Sequence, residues 1–255
     1  MSTVDIQELD DKVQQIYRQV AEHPHGRFHF EMGRPLAERL GYPSELLDAV
    51  PSGAVESFAG VGYFFDLAAL RPGERVLDLG SGSGTDTFAA AHLVGHSGRV
   101  VGVDFTPEQL EKARRLAATT GLDQVVEFWE QRIEILPMAD AAFDCVISNG
   151  VINLSADKER VFAETARVLR PGGRLAVADI VTEQQLTDAI VCNAELWAAC
   201  IGGAAQQDTY RRLIEAAGLV VREVRRNDYA FISDRARGAS ARYGVKSISL
   251  LATKT

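Results

Sequence analysis

The run "VLDLGSGSGTD", Val76 to Asp86, constrains the fold of this chain more than any other stretch. A short apolar strand pattern runs into Gly80, Gly82 and Gly84 and then directly into a helix pattern, "DTFAAAHLVG". Glycines let the backbone turn sharply and approach a ligand closely. The helix start beyond them offers free N–H groups and a partial positive charge. A second strand, "GRVVGVDF", ends at Asp104 with Phe105 beside it, about 20 residues on, where an acid accepts hydrogen bonds from ribose hydroxyls. Strand, glycines, helix, strand and acid in that order read as a cofactor loop, against the competing reading of a plain surface turn. A dinucleotide fingerprint, G-x-G-x-x-G, would need glycine at position 85, which is Thr85.

The rest of the chain continues this grammar. "TPEQLEKARRLAATTG" reads as a helix capped by Thr106, with Pro107 at its first position and Glu108 in its first turn. "VVEFWEQ" and "FDCVISN" read as strands, "DKERVFAETARVL" as a helix and "PGGRLAVADIV" as a strand. Such alternation predicts a parallel sheet with helices on both faces. Before it, Ile6, Leu9, Val13, Ile16, Tyr17 and Val20 fall at helical spacing, and two short helices follow, punctuated by Gly41, Pro43 and Pro51. Residues 1–70 therefore read as a strandless helical region. Beyond 181 the alternation breaks. "QLTDAIVCNAELWAACIGG" reads as an inserted helix near 183–205. "DTYRRLIEAAG" is the next helix, and "LVVREVRR" and "VKSISLLATK" are two strands with a variable stretch between them.

Composition narrows the partners. The net charge of -8 argues against a nucleic-acid phosphate partner. No run of about 18 apolar residues predicts a membrane span, and the acidic "MSTVDIQELDD" is unlike a signal peptide. Three cysteines, widely placed, do not suggest a disulfide framework and fit a reducing cytoplasm. His92 and His96 share a helix face but have no carboxylate or cysteine beside them, so no metal site is expected. Phe58, Tyr63, Phe64 and Phe65, interrupted by Gly60 and Gly62, read either as core or as a loop pressed against a ligand.

On these residues the chain resembles the S-adenosylmethionine-dependent methyltransferases of the Rossmann-like class. The glycine loop has their G-x-G-x-G spacing, with Asp78 two residues before the first glycine. "EFWEQRIEILP", "FDCVISNGVINL" and "VLRPGGRLAVADI" match their later segments. The resemblance implies an α/β, doubly wound, seven-stranded and mostly parallel sheet at residues 71–255, with residues 1–70 as a helical lid. It implies S-adenosylmethionine as cofactor and a small-molecule substrate. Gly80, Gly82 and Gly84 would take the methionine end, Asp78 would order the loop, and Asp104 would hold the ribose. Ile133 and Glu134 would flank the adenine, and Asn149 would lie near the methionine amino group.

"ESFAGVG", "SNGVINLSADKERVF" and "ACIGGA" are more specific, and with them the chain resembles the arsenite methyltransferases. That family holds trivalent arsenic with cysteine thiolates. Here one such position is Cys200, while the position after Asn149 is Gly150, and no cysteine lies between Met1 and Gly80. Cys192 and Cys200 lie eight residues apart, about 12 Å along an unbroken helix, so two thiolates could share one atom only if that helix is broken. Cys145 sits in an apolar strand and reads as a buried thiol. The expectation is a methyltransferase of a small-molecule acceptor other than arsenic, with Cys200 and a lid histidine, His29, as catalytic candidates. Arsenite methylation through Cys200 with external thiols, and a non-catalytic cofactor-binding protein, are the alternatives.

Overall fold

Strands that are apolar on both faces must be covered on both faces, and this requirement organises the molecule. In the computed structural model, which describes residues 5–193, 196–197 and 201–255, five strands pair in parallel. They are β1 (Arg75–Leu79), β2 (Arg99–Asp104), β3 (Val126–Glu130), β4 (Phe143–Asn149) and β5 (Leu169–Thr182). A two-residue β6 (Ala205–Gln206) pairs with the end of β5. Two further strands, β7 (Leu219–Arg226) and β8 (Lys246–Lys254), complete the order β3-β2-β1-β4-β5-β8-β7, with β8 antiparallel to both neighbours. The doubly wound, mostly parallel sheet expected from the sequence is present. β6 is an addition that no pattern in its two residues announced.

Neighbouring residues of one strand feed opposite cores. Val76, Cys145 and Ile147 point into one apolar cluster, Leu77, Leu79 and Val146 into the other, and all are fully buried. Each such side chain stabilises the fold by about 1.5–3 kcal/mol relative to exposure. On the second face lie α8 (Lys158–Val168) and α10 (Gln207–Ala216), joined where Phe162 meets Tyr210 edge to face. α9 (Asp188–Val191) is only four residues long. The chain turns at Cys192, so the inserted segment is not the single continuous helix its sequence suggested. A later helix, α11 (Asp234–Tyr243), fills the variable stretch between the last strands. Its core pattern is faint, but its ends are marked, by Ser233 accepting the Ala236 N–H and by Gly244 at φ +64°.

The first face explains the N-terminal region. α2 (Gly33–Arg39), α3 (Ser44–Asp48), α4 (Ser52–Val55) and α5 (Phe65–Ala68) bury Leu36, Leu47, Ala54, Val55 and Phe65 in the same cluster as α6 (Thr85–Val94) and α7 (Pro107–Thr120). Residues 33–68 are therefore a structural layer of the domain. α1 (Ile6–Glu22) precedes this layer, and its buried Leu9 and Val13 join a small cluster with Trp197. The remaining ties of α1 are largely polar. Gln14 donates to the Phe105 carbonyl at 2.8 Å, Gln109 to the Tyr17 carbonyl at 2.7 Å and Lys112 to the Ala21 carbonyl at 3.2 Å.

One ion pair welds the helical layer to the sheet. Arg174 on β5 grips Glu74 with two bonds of 2.9 and 2.6 Å and also donates to the carbonyls of Ala68 and Ala69 at the end of α5. Removing the guanidinium strands a carboxylate that is only 11% exposed and two helix-end carbonyls. Arg174→Ala is expected to destabilise by about 3 kcal/mol. By calorimetry that is a fall in Tm of roughly 6–12 °C.

Candidate functional site

The strand order reverses between β1 and β4, and the crevice outside their carboxyl ends is where open α/β sheets place ligands. Here that crevice begins with the glycine loop. Gly80, Gly82 and Gly84 all have positive φ, at +74°, +52° and +94°. A Cβ on Gly80 would stand 2.3 Å from Val151 Cγ2, so the residue is required by contact as well as by backbone angle. The end of β2 holds the loop in place. The Val103 carbonyl accepts the N–H groups of Gly80 and Ser81 at 2.8 and 2.9 Å. Asp104 accepts the Gly82 N–H at 2.9 Å through one oxygen and the Thr106 N–H at 2.8 Å through the other. Thr106 occupies the helix N-cap, but its hydroxyl makes no capping bond there; the anticipated cap is replaced by this contact with Asp104.

The cleft wall brings together Asp78, Gly80, Gly82, Asp104, Phe105, Ile133, Glu134 and Asn149, all expected from the sequence. Gly84 lies just behind, against Phe88 and Phe128. Glu134 accepts the Ser155 hydroxyl at 2.5 Å. Arg132 stacks over Phe105 at 5.6 Å and pairs with Asp10 of α1 through bonds of 2.5 and 3.2 Å, so α1 borders one side of the cleft. Phe58 of the aromatic run lines the cleft, whereas Phe64 and Phe65 pack in the core. Tyr63 stands against Tyr42, with ring centres 5.0 Å apart. His29 is outside the cleft lining, its ring edge-on to Phe30 at 4.7 Å. Cys200 lies outside the described residues. Cys145 is fully buried, and burial pushes its thiol up to about 12.

Asn149 does more than the sequence suggested. Its side-chain oxygen accepts the Val61 N–H at 2.7 Å and the Gly62 N–H at 3.3 Å. Its nitrogen lies 3.0 Å from each of Tyr42 Oη, the Gly62 carbonyl and Asp86 Oδ2. The residue thus pins the 60–62 loop to the cleft floor. Gly60 has no room for a side chain, since a Cβ would meet Asn149 Nδ2 at 2.6 Å.

Asp86 and Tyr42 are the residues sequence reasoning missed. Asp86 is 7% exposed, in the first turn of α6, and accepts the Tyr42 hydroxyl at 2.5 Å. Asp78, 2% exposed at the base of the loop, accepts the Thr87 hydroxyl at 2.7 Å. Burial, then the neighbouring Asp86 charge, hold the Asp78 carboxyl well above the usual range. Burial also raises Asp86, to about 6, against the opposing bonds from Tyr42 and Asn149. The only signal for Asp86 was an acid at a helix start that otherwise suits anions; its partner is far upstream in the chain. Among the described residues no group of three or more His, Cys, Asp or Glu is placed to hold a metal ion. No helix among them is long and apolar enough to cross a membrane.

Residues 70–218 match the family model of a methyltransferase domain. An arsenite methyltransferase of Halobacterium salinarum is 42% identical over 200 residues, covering 78% of this chain and 51% of that protein. The human arsenite methyltransferase is 39% identical over 142 residues, covering 51% of this chain and 36% of that one. The chain spans about half the length of the curated relatives it matches. CrArsM, an arsenic(III) S-adenosylmethionine methyltransferase from Chlamydomonas reinhardtii, superimposes with a TM-score of 0.64 at 31% identity, covering 88% of this chain and 74% of its own. A geranyl diphosphate methyltransferase, with a TM-score of 0.68 at 17% identity, shares the fold.

The hub at Asn149 is open to test. Asn149→Ala leaves the Val61 N–H without its partner and frees the 60–62 loop, at a cost of about 2 kcal/mol. Hydrogen exchange is expected to quicken at Val61 and Gly62 while β1 and β2 keep their protection.

Proposed function

Because the chain belongs to the methyltransferase domain family, we propose that it transfers a methyl group from S-adenosylmethionine to a small organic acceptor. The observation that carries this reading is the charge of the cleft. Five carboxylates line it, from Asp10, Asp78, Asp86, Asp104 and Glu134, against one guanidinium, Arg132, already paired with Asp10. A dinucleotide pyrophosphate is disfavoured by this acidic balance, whereas a ligand with a sulfonium and an ammonium is favoured by it. The glycine turn supplies the close backbone approach that the methionine end needs.

The remaining roles follow from position. Asp104 keeps acceptor capacity for ribose hydroxyls beyond the two N–H groups it already holds. Ile133 and Glu134 flank the adenine, with Phe105 and Arg132 beside them. The bound sulfonium supplies an activated methyl and a good leaving group. The protein is left to position the acceptor and to exclude water. Tyr17, Phe58, Val151 and Leu154 provide an apolar wall for that purpose, with α1 as its cover.

The same wall favours an organic acceptor over trivalent arsenic. Gly150 occupies a position at which the resembling family has a thiolate. Its φ is +73°, a conformation that L side chains rarely adopt, and a Cβ would press on Val61 Cγ1 at 3.2 Å. The identity to arsenite methyltransferases supports the second reading, arsenite methylation through Cys200 with added thiols.

Calorimetry is expected to show S-adenosylhomocysteine binding and no binding of NAD, and Asp104→Ala to weaken S-adenosylhomocysteine by at least about tenfold. Binding of NAD alone would overturn the cofactor. For the acceptor, the protein is incubated with S-adenosylmethionine and glutathione, with and without arsenite, beside a screen of small phenols, amines, thiols and activated carbons. Turnover of an organic acceptor is expected. Robust arsenic methylation that vanishes in Cys200→Ser would overturn the organic reading.

A further inference from the structure

Lys158 is the first residue of α8, at the positive end of that helix, and is only 9% exposed. Both settings disfavour an ammonium, and an apolar side chain of the same length would cost the fold less. Three partners converge on the charge. Its Nζ donates to the Asn153 carbonyl at 3.1 Å and to the Ser155 carbonyl at 2.7 Å, and it stands 4.9 Å from the centre of the Trp197 ring. Behind them lies Asp179 of β5, fully buried. Its oxygens accept from Asn153 Nδ2 at 2.6 Å, from the Ile180 N–H at 2.8 Å and from the Tyr210 hydroxyl at 2.8 Å.

Each partner leads to a different wall of the cleft. Asn153 is fully buried and donates to the Gly150 carbonyl at 3.0 Å, while Val151, Leu154 and Ser155 around it line the cleft. Trp197 belongs to the inserted segment. Its ring is buried against Leu9 and Val13 of α1 and against Leu154, and its indole N–H donates to the Val191 carbonyl at 2.5 Å. The glycines of "ACIGGA" follow from the same ring. A Cβ on Gly202 would collide with Trp197 Cδ1, and one on Gly203 with both the Asn153 carbonyl and the ring. The chain can therefore pass Trp197 and the 153–155 turn only as glycine.

On the reading that this cleft brings S-adenosylmethionine to an acceptor, we propose that Lys158 is a positioning residue for the methyl transfer, fixing the 151–155 wall, α1 and the inserted segment against one another through Trp197. No bond to Lys158 forms or breaks. Its effect is on where the apolar wall holds the acceptor. The charge needed for this is conditional. Burial lowers the Lys158 ammonium to about 8, opposed by the charges of Asp179 and Glu134. The Tyr210 phenol, raised by burial, stays protonated and neutral. The ammonium is therefore present below about pH 8 and lost above it, and the clamp loosens as pH rises through that value.

The chain has two tryptophans, and Trp129 lies on the outer strand β3, outside the cleft lining. Trp129→Phe leaves Trp197 fluorescence alone to report on the clamp. In that background the emission is expected to titrate with a midpoint near pH 8, and Lys158→Met to abolish the titration. By hydrogen exchange, Lys158→Met is expected to quicken residues 151–155 and α1 together, by about tenfold. Should thermal melts show that this variant does not fold, Trp197→Leu, which keeps the ammonium and loses the ring, is expected to quicken the same two segments. Emission that stays flat from about pH 6.5 to 9.5 overturns the proposal, as does quickening confined to one of the two segments. S-adenosylhomocysteine is expected to slow exchange in both segments of the unaltered protein, and equal slowing in Lys158→Met overturns the proposal while leaving the cofactor assignment intact. Absence of S-adenosylhomocysteine binding overturns the cofactor assignment, and the emission titration still decides whether Lys158 holds Trp197.

Discussion

The site depends on how the chain leaves β1. Its backbone must turn at once from a buried strand into α6 without leaving N–H groups stranded in the core. The glycines supply positive φ, and the end of β2 supplies acceptors, through the Val103 carbonyl and the Asp104 carboxylate. Asp104 thus serves the fold before it serves a ligand. Loop, second strand and first helix form one rigid unit, and the cleft inherits its shape from that unit.

Against this rigid floor, the walls differ in how they are attached. Residues 33–68 are apolar where they meet the sheet and are locked by Arg174, Arg225 and the Ser247 and Ser249 hydroxyls, the last three reaching the 61–63 backbone or Asp66. α1 is held by side-chain hydrogen bonds, two guanidinium–carboxylate pairs and the buried Leu9, Val13, Val20 and Ala21. Polar ties of this kind exchange with water at little net cost, whereas the apolar contacts of residues 33–68 do not. The division of labour suits a cleft that must admit a ligand and then exclude solvent.

The buried acids express a second trade. Asp78 and Asp86 disfavour each other's charge and gain nothing for the fold from doing so. A site poised in this way is stable enough only because Tyr42, Thr87 and Asn149 supply neutral donors. The position after Asn149 shows the same economy in the backbone. Gly150 permits the left-handed turn that places Val151 against Gly80, and that turn leaves no natural place for a side chain.

Much of this was legible in the residue order. Short apolar runs alternating with helix patterns specified the sheet, and the glycine spacing with Asp78 and Asp104 specified which end of it carries the cleft, because these are local properties of strands, turns and helix starts. Ile133, Glu134 and Asn149 joined that cleft as positions, yet the use of Asn149 as a loop clamp could not be read, since its partners Tyr42, Val61 and Gly62 lie far upstream in the sequence. His29 follows a helix break in the sequence, and its ring stands edge-on to Phe30 outside the cleft lining. The pairing of Asp86 with Tyr42 was likewise decided by packing. Local sequence determines what each segment can be, while proximity between distant segments, and the burial that shifts a carboxylate, exist only once the two faces of the sheet have closed.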